Sequence, residues 1–314
     1  MITKTVLFFG SFLHYSTKVL EELHRSGMIE VLGVVTTPPM PAGRDKKLTK
    51  THTQKWAEVK DLPVFAPEKL NEKSLSLIKE KLGTKPDFMV TAGYGKLIPT
   101  SWLGLPKISP INLHFSLLPD YRGANPAEWA ILMGETETGV TMIIMDEEFD
   151  TGKIITRKTA LITKDDTRES LYEVLYELAG KIAVETLPHL DNVNFATKQE
   201  EGGELVYAKR LMRGNGYVDW ELVGKAMAGE NVALDERSGI FNRAKGAWPE
   251  ILERAIRALY GYPGVWTKVS TKKGKKRMKL LGSHLENDKL LLDKVQIEGK
   301  IPSSYNEVKN LIEK

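Results

Sequence analysis

Hydrophobic positions in the first half of the chain alternate between short apolar runs and segments with helical spacing. The runs at residues 4–9, 31–36 and 87–91 predict buried strands, while the spacing over residues 15–25 and 71–82 predicts helices. Strands that alternate with helices indicate a parallel sheet covered on both faces. Ligands of such sheets bind at the carboxyl ends of the strands.

The pattern changes twice further along the chain. A helix is predicted over 127–133, β-rich segments over 139–145 and 153–160, and a long amphipathic helix over 165–187. Residues 191–203 are polar, contain a Gly-Gly pair and are typical of a linker. The short apolar runs after Val206 predict a small, strand-rich second domain. In the first half, the Pro- and Gly-containing residues 37–43 predict a loop.

Composition narrows the class of protein. The chain has 314 residues, of which 41% are hydrophobic and 27% charged, which fits a globular protein of two domains. No apolar run approaches the roughly 18 residues of a spanning helix, so we expect no membrane association. The absence of cysteine excludes disulfides and thiolate catalysis and favours a reducing, cytoplasmic setting. A net charge of +4 is too small to indicate a polyanionic partner by itself.

Candidate chemistry lies in residues 111–119, which read Ile-Asn-Leu-His-Phe-Ser-Leu-Leu-Pro. Asn112 and His114 are two apart in a predicted strand and therefore face the same side. Asp150 occupies a Gly-containing turn that can return its carboxylate to that strand end. An amide and an imidazolium can stabilise a developing oxyanion, and a carboxylate can orient the imidazole and raise its pKa. Each residue taken singly also has a non-catalytic interpretation. His114 fits a hydrogen-bonded structural histidine, Asn112 a turn cap and Asp150 an ordinary turn acid.

Asn-x-His-x-Ser-Leu-Leu-Pro followed by Asp-Thr-Gly resembles the signature of the folate-dependent formyltransferases, and the spacing between His114 and Asp150 matches as well. Further segments resemble the methionyl-tRNA formyltransferases within that family. They are residues 41–47, 62–67, 92–99, 121–126, 219–220 and 295–300. The resemblance therefore covers nearly the whole chain.

This resemblance implies an α/β fold class. A Rossmann-like formyltransferase domain with a parallel-rich sheet is expected over 1–190, a linker over 191–206, and a smaller OB-like β-barrel domain that binds tRNA over 207–314. The implied reaction transfers a formyl group from 10-formyltetrahydrofolate, as co-substrate, to the α-amino group of methionyl initiator tRNA. The family further implies a monomer that uses no metal.

Site residues follow from the resemblance position by position. The catalytic set is Asn112, His114 and Asp150. The folate pocket is expected to comprise Gly93, Tyr94, Gly95, Lys96, Leu97, Ser116, Leu117, Leu118, Pro119, Met145, Asp146 and Glu147.

Two basic stretches are candidates for tRNA contact. One is a loop after the second strand, and the other spans 268–279, where seven basic residues occur without an acid and Gly274 predicts a hairpin tip. Solvated surface loops are the alternative for both. The predicted tRNA-binding residues are Arg44, Lys46, Lys47, Lys272, Lys273, Lys275, Lys276 and Arg277.

Some positions depart from the family pattern, and other functions stay open. Gly10-Ser11-Phe12 replaces the usual Gly-Thr-Pro turn, and Asp45 interrupts the first basic loop. The alternatives are a formyltransferase acting on an amino sugar or nucleotide amine, a formyltetrahydrofolate hydrolase, and a non-catalytic RNA-binding protein of the same fold. The six histidines show no metal-ligand spacing, and no phosphate-cradling glycine motif follows the first strand.

Overall fold

The computed structural model describes residues 3–43, 45–200 and 205–313. The strands are β1 (Lys4–Phe9), β2 (Ile29–Val35), β3 (Met40–Ala42), β4 (Lys47–Thr49), β5 (Val64–Phe65), β6 (Phe88–Thr91), β7 (Ser109–His114), β8 (Glu137–Ile144), β9 (Ile154–Leu161), β10 (Val265–Thr271), β11 (Gly274–Glu286), β12 (Lys289–Ile297) and β13 (Ser303–Ser304). The helices are α1 (Tyr15–Arg25), α2 (His52–Val59), α3 (Glu72–Leu82), α4 (Thr100–Leu103), α5 (Pro126–Met133), α6 (Arg168–Thr186), α7 (Trp220–Ala228), α8 (Trp248–Ala258) and α9 (Tyr305–Val308). Single 3₁₀ turns lie at Leu187–His189, Arg213–Gly216, Glu236–Ser238, Phe241–Arg243 and Lys309–Leu311.

Two compact units divide the chain. The first comprises Met1–Arg122, Gly139–Ala160 and Tyr172–Tyr207, and the second comprises Gly123–Thr138, Leu161–Leu171 and Ala208–Lys314. Each unit is thus built from separate stretches of chain. The continuous domains expected over 1–190 and 207–314, with a linker at 191–206, stay a prediction.

The large sheet has seven strands in the order β5-β2-β1-β6-β7-β8-β9. The first five run parallel to their neighbours, and β8 runs antiparallel to β7. The central strand β6 is buried at every position, because helices that connect parallel strands cover both faces of the sheet. The predicted parallel-rich α/β class is therefore confirmed.

A hydrophobic cluster covers one side of β1 and β6, and β6 is the neighbour of β7 in the sheet. Phe9 of β1 packs edge-on against Tyr94 and Trp102, and Met89 of β6 joins the same cluster. Trp102 has no exposed surface. Tight packing of this kind holds strand ends in fixed positions relative to one another.

A short hairpin replaces part of the loop predicted at 37–43. Met40–Ala42 pairs antiparallel with Lys47–Thr49. Each strand has only three residues and none is buried, so the sequence carries no alternation of apolar and polar positions to reveal the pairing.

The second unit contains a four-stranded antiparallel sheet in the order β10-β11-β12-β13. The turn predicted at Gly274 is confirmed, since β10 ends at Thr271 and β11 begins at Gly274. Helix α8 buries one face, which includes Trp248, Leu252 and Ile256. The smaller strand-rich region after the parallel sheet is thus confirmed. Among the described residues, no helix has both the length and the hydrophobicity to cross a bilayer.

Candidate active site

Strand β7 presents two polar side chains at its carboxyl end. It lies between β6 and β8, with Asn112 opposite Thr91 on one side and His114 opposite Thr141 on the other. Ile111 is fully buried and belongs to the alternate set of positions along the strand. The alternation read from the sequence therefore gives Asn112 and His114 a common face.

The turn between β8 and β9 brings the third side chain to this face. Asp150 has φ 58°, a left-handed conformation that Asp tolerates better than most residues. Its Oδ1 accepts a hydrogen bond from Asn112 Nδ2 at 3.1 Å and lies 3.4 Å from His114 Nδ1. The three side chains predicted to act together thus meet in the structure, and their catalytic role stays a prediction.

Local contacts leave this turn little freedom. Gly152 passes so close to β8 that a Cβ atom there would lie 1.7 Å from the carbonyl oxygen of Ile144. The Thr151 hydroxyl donates to the Asp146 carboxylate at 2.9 Å. The glycine of the Asp-Thr-Gly motif is therefore required by a close backbone approach.

His114 is buried between two acceptors. Its Nε2 lies 3.0 Å from the carbonyl oxygen of Tyr121, so this nitrogen must donate, and Nδ1 faces Asp150. Burial by itself lowers the pKa of His114, but the charge and hydrogen bond of Asp150 and the Tyr121 carbonyl outweigh it, and the pKa is raised. The doubly protonated imidazolium satisfies both contacts, so the site favours it.

Two of the predicted folate-binding segments meet in the hydrophobic cluster beside Trp102. Tyr94 and Met145 both pack there, and burial raises the pKa of Tyr94 to about 12. The Met145 amide donates to the carbonyl of Pro110 at 2.9 Å, which ties this segment to the start of β7. Asp146, the next residue, accepts the hydrogen bond from the Thr151 hydroxyl, and Glu147 is exposed.

The rest of the first predicted segment surrounds Ser11. Gly93 has φ 67° and accepts the Ser11 amide at 3.1 Å, while the exposed Gly95 donates to the Ser11 hydroxyl at 3.3 Å. Lys96 donates to backbone carbonyls at positions 67 and 68, at 3.1 and 2.7 Å. Leu97 is 63% exposed. This segment therefore offers its backbone and an apolar side chain rather than free charges.

The third predicted segment forms a tight turn after β7. The Ser116 hydroxyl donates to the carbonyl of Asp120 at 2.7 Å. The Thr141 hydroxyl donates to the Ser116 carbonyl at 2.6 Å and accepts from the Leu118 amide at 3.1 Å. Ser116 and Leu118 are buried. Leu117 and Pro119, by contrast, are partly exposed. Of the four residues 116–119, Ser116 and Leu118 therefore form the turn rather than an open binding surface.

The predicted tRNA-binding residues fall into two groups. Arg44 lies outside the described residues, and Lys46 and Lys47 are exposed beside and at the start of β4. Lys272 and Lys273 form the turn between β10 and β11.

Register separates the basic residues of β11. Lys275 and Arg277 share one face, on which Arg277 lies 5.9 Å from the Trp266 ring. Lys276 points to the other face, with the buried Met278. The sequence could not tell these two sides apart, because basic residues occupy both.

Two residues at this site went unnoticed in the sequence as functional candidates. Gln199 lies in the polar segment predicted to be a linker, yet its side chain contacts the backbone of the Asp150 turn. Arg122 is 4% exposed and contacts Gln199. Arg122 lies in the segment 121–126 that resembles the methionyl-tRNA formyltransferases, which was a signal available in the sequence, whereas Gln199 had none.

Comparison with known proteins identifies the family. The family model described as formyl transferase matches residues 3–187. A methionyl-tRNA formyltransferase of Thermodesulfovibrio yellowstonii is 34% identical over 244 residues, which cover 78% of this chain and 73% of the relative. One from Nitrosomonas eutropha is 33% identical over 237 residues, covering 76% and 72%.

Solved structures agree on the fold. The methionyl-tRNA formyltransferase of Clostridium thermocellum has a TM-score of 0.55 at 16% identity, covering 94% of this chain and 98% of its own. An N-formyltransferase of Helicobacter canadensis, solved with folinic acid and dTDP-3-aminofucose, has a TM-score of 0.58 at 18% identity, covering 95% of each chain. These two similarities concern the fold alone, whereas the matches in sequence show that the chain belongs to the formyl transferase family of enzymes.

Proposed function

We propose that this enzyme transfers the formyl group of 10-formyltetrahydrofolate to the α-amino group of methionyl initiator tRNA, giving formylmethionyl-tRNA. The observation that carries the proposal is the meeting of Asn112, His114 and Asp150 at the end of β7. The curated relatives named methionyl-tRNA formyltransferase support the choice of acceptor.

The chemistry requires charge stabilisation at one carbon. The methionyl amine attacks the formyl carbon, a C–N bond forms, and the carbonyl oxygen becomes anionic before the bond to folate N10 breaks. The proton that the amine loses balances the one that the departing nitrogen gains. Asn112 has an amide N–H besides the one engaged by Asp150, and it is the donor for this oxygen.

His114 contributes its positive charge in this scheme. Both of its ring nitrogens face protein acceptors, so it stabilises the oxyanion through the field of the imidazolium. Asp150 keeps that imidazole protonated and oriented. The side chains of Asn112 and Asp150 are partly exposed at the site, as contact with substrate requires.

The surroundings suit a flat, partly apolar co-substrate. Gly95 is exposed and Leu97 largely so, and the backbone near Gly95 and Glu147 offers groups that can pair with the edge of a pterin ring. This fit supports residues 93–97, 116–119 and 145–147 as the folate-binding segments, although Ser116 and Leu118 act there through the shape of the turn.

The second unit supports a nucleic-acid acceptor. Strands β10 and β11 carry Trp266, Lys268, Lys275 and Arg277 on one face, where the two lysines are exposed and Trp266 and Arg277 are partly exposed. Basic side chains beside an aromatic ring bind phosphates and stacked bases together. An enzyme for an amino sugar or nucleotide amine would share the three site residues without needing this face.

One experiment separates the candidate functions. The protein is incubated with 10-formyltetrahydrofolate and, in separate reactions, with charged initiator tRNA, charged elongator tRNA, a nucleotide-linked amino sugar, or buffer alone. Transfer confined to methionyl initiator tRNA is the expected result. Transfer to the sugar, or folate hydrolysis in buffer alone, would replace the proposal with the corresponding alternative, and tRNA binding without transfer would indicate a non-catalytic protein. The expected cytoplasmic location, monomeric state and independence of metals stay predictions.

A further inference from the structure

The side chain of Gln199 joins the Asp150 turn to a buried arginine. Its Nε2 donates to the carbonyl oxygens of Asp150 (2.7 Å) and Gly152 (2.9 Å). Its Oε1 accepts from Arg122 Nε (3.0 Å) and Nη2 (2.7 Å). The amide thus uses both donors and its acceptor in one arrangement. The reverse orientation would set its nitrogen against a cation and its oxygen against two carbonyls.

The backbone holds Gln199 in position for these contacts. Two residues earlier, Thr197 exchanges two backbone hydrogen bonds with Ile154, the first residue of β9, at 2.7 and 3.0 Å. Residues 197–199 therefore run beside the start of β9, and the side chain of Gln199 reaches back over the turn that precedes this strand.

Arg122 completes a closed chain of contacts that includes the His114 imidazole. It directly follows Tyr121, whose carbonyl oxygen accepts from His114 Nε2. Asp150 and His114 are thus linked directly at 3.4 Å and also through Gln199, Arg122 and the backbone of Tyr121. A shift of the Asp150 turn must break one of these links.

The contacts of Gln199 add to the local contacts that hold the Asp150 turn. Asp150 adopts φ 58°, which is disfavoured for residues with a side chain, and it lies at the tip of the connection between β8 and β9. The Gln199 amide binds the carbonyl oxygens of the residues before and after Thr151. These contacts hold the backbone of Asp150 and so set the direction of its side chain.

We propose that Gln199, anchored by Arg122, is a positioning residue that holds the Asp150 carboxylate against His114 and Asn112. Its catalytic consequence rests on the proposed function, but the positioning itself does not. Gln199 touches the backbone of Asp150 rather than its carboxylate, and its effect therefore reaches the reacting atoms through that residue. Misplacement of a catalytic group by about 1 Å is enough to lower turnover by up to about 100-fold.

Gln199→Glu is the discriminating variant. A glutamate keeps the shape of the side chain and strengthens the contact with Arg122, but it cannot donate to the two carbonyls. Loss of support to the turn is thereby separated from loss of the arginine contact. Asn192→Asp is the matched control, because it makes the same amide-to-carboxylate change at an exposed residue of the first unit, whose Oδ1 accepts from the Asn194 amide at 3.0 Å and can still do so as a carboxylate.

The test combines kinetics with NMR of the His114 ring. In Gln199→Glu we expect kcat for formyl transfer to fall about 10- to 100-fold with KM for tRNA within about threefold. The His114 titration should move to lower pH in Gln199→Met, which adds no charge, whereas the new carboxylate of Gln199→Glu would by itself raise the pKa of the imidazole. Asn192→Asp should match the wild type in both. A folded Gln199→Glu protein with wild-type kcat, or a folded Gln199→Met protein with an unchanged His114 titration, overturns the proposal.

The two readouts keep the proposals distinguishable. If the wild type transfers no formyl group, the proposed function fails, while the His114 titration still decides whether Gln199 positions Asp150. Gln199→Met removes the amide without adding charge, so a change in its His114 titration reports on the position of Asp150. Failure of both variants to fold would count against positioning and assign Gln199 a purely structural role.

Discussion

Asp150→Asn tests the electrostatic centre of the site. Asparagine has nearly the same shape, tolerates the positive φ of this position and can still accept from Asn112, so the main change is the loss of one negative charge beside His114. The imidazole is 4% exposed, and without the carboxylate its charged form lacks the counter-charge that Asp150 supplies.

The size of the effect follows from the geometry. Two unit charges 3.4 Å apart attract by about 5 kcal/mol at an effective dielectric constant of about 20, which is a gross upper limit. The variant can escape part of this loss by leaving His114 neutral. Remaining neutral at pH 5.5, one unit below the ordinary histidine pKa of about 6.5, costs about 1.4 kcal/mol. We therefore expect Asp150→Asn to lower the free energy of unfolding by about 2–4 kcal/mol at pH 5.5.

The sign of the pH dependence is fixed by the raised pKa of His114. Stability gained by a raised histidine pKa is fully present below the pKa of the unfolded state and is lost as pH rises through that of the folded state. The difference between wild type and Asp150→Asn should therefore be largest near pH 5.5 and shrink above neutral pH as the wild-type imidazole loses its proton.

Urea unfolding at a series of pH values from 5.5 to 9.5 measures this difference, and hydrogen exchange of the β7 amides assigns it to the first unit. Asp293→Asn is the control, because Asp293 forms an exposed pair with His284 at 2.9 Å, where the side chains are 50% and 55% exposed. That substitution should cost less than about 1 kcal/mol. A loss for Asp150→Asn that is independent of pH, or no larger than that of the control, would refute the reasoning.

Three further predictions test the site and the basic face. Asn112→Ala should lower kcat by about 10²- to 10³-fold with little change in tRNA affinity, and a parallel loss of binding would argue against an oxyanion donor. Gly152→Ala should abolish most activity and lower the Tm, because its Cβ would lie 1.7 Å from the Ile144 carbonyl oxygen; wild-type kinetics would contradict the required close approach. Lys275→Gln should make the slope of log affinity against log salt shallower by about 0.9, by analogy with B-DNA, and Lys276→Gln on the opposite face should change it less. Equal changes would indicate that the face does not matter.

Much of the parallel sheet could be predicted because its strands carry local signals. Strands such as β1 and β6 are short apolar runs, since both of their faces are buried, and the intervening helices show one apolar side. The shared face of Asn112 and His114 also follows from sequence, because strand geometry alone sets it. The Gly-containing turn of Asp150 could also be read from the sequence, but the turn allows rather than requires its carboxylate to reach that strand, and the assignment of a catalytic role came from the resemblance.

Tertiary structure decided the rest, because the remaining features depend on which distant segments meet. Whether the carboxylate of Asp150 would reach His114 depended on the path of the turn past Ile144. Gln199 looked like one polar residue among several in a linker, and its contacts with the Asp150 turn and Arg122 exist only in the folded chain. Sequence thus determined which side chains are available and how each strand presents them. Only folding brought separated segments within hydrogen-bond distance. Contacts between residues far apart in sequence follow no periodic pattern along the chain, so the sequence does not reveal them.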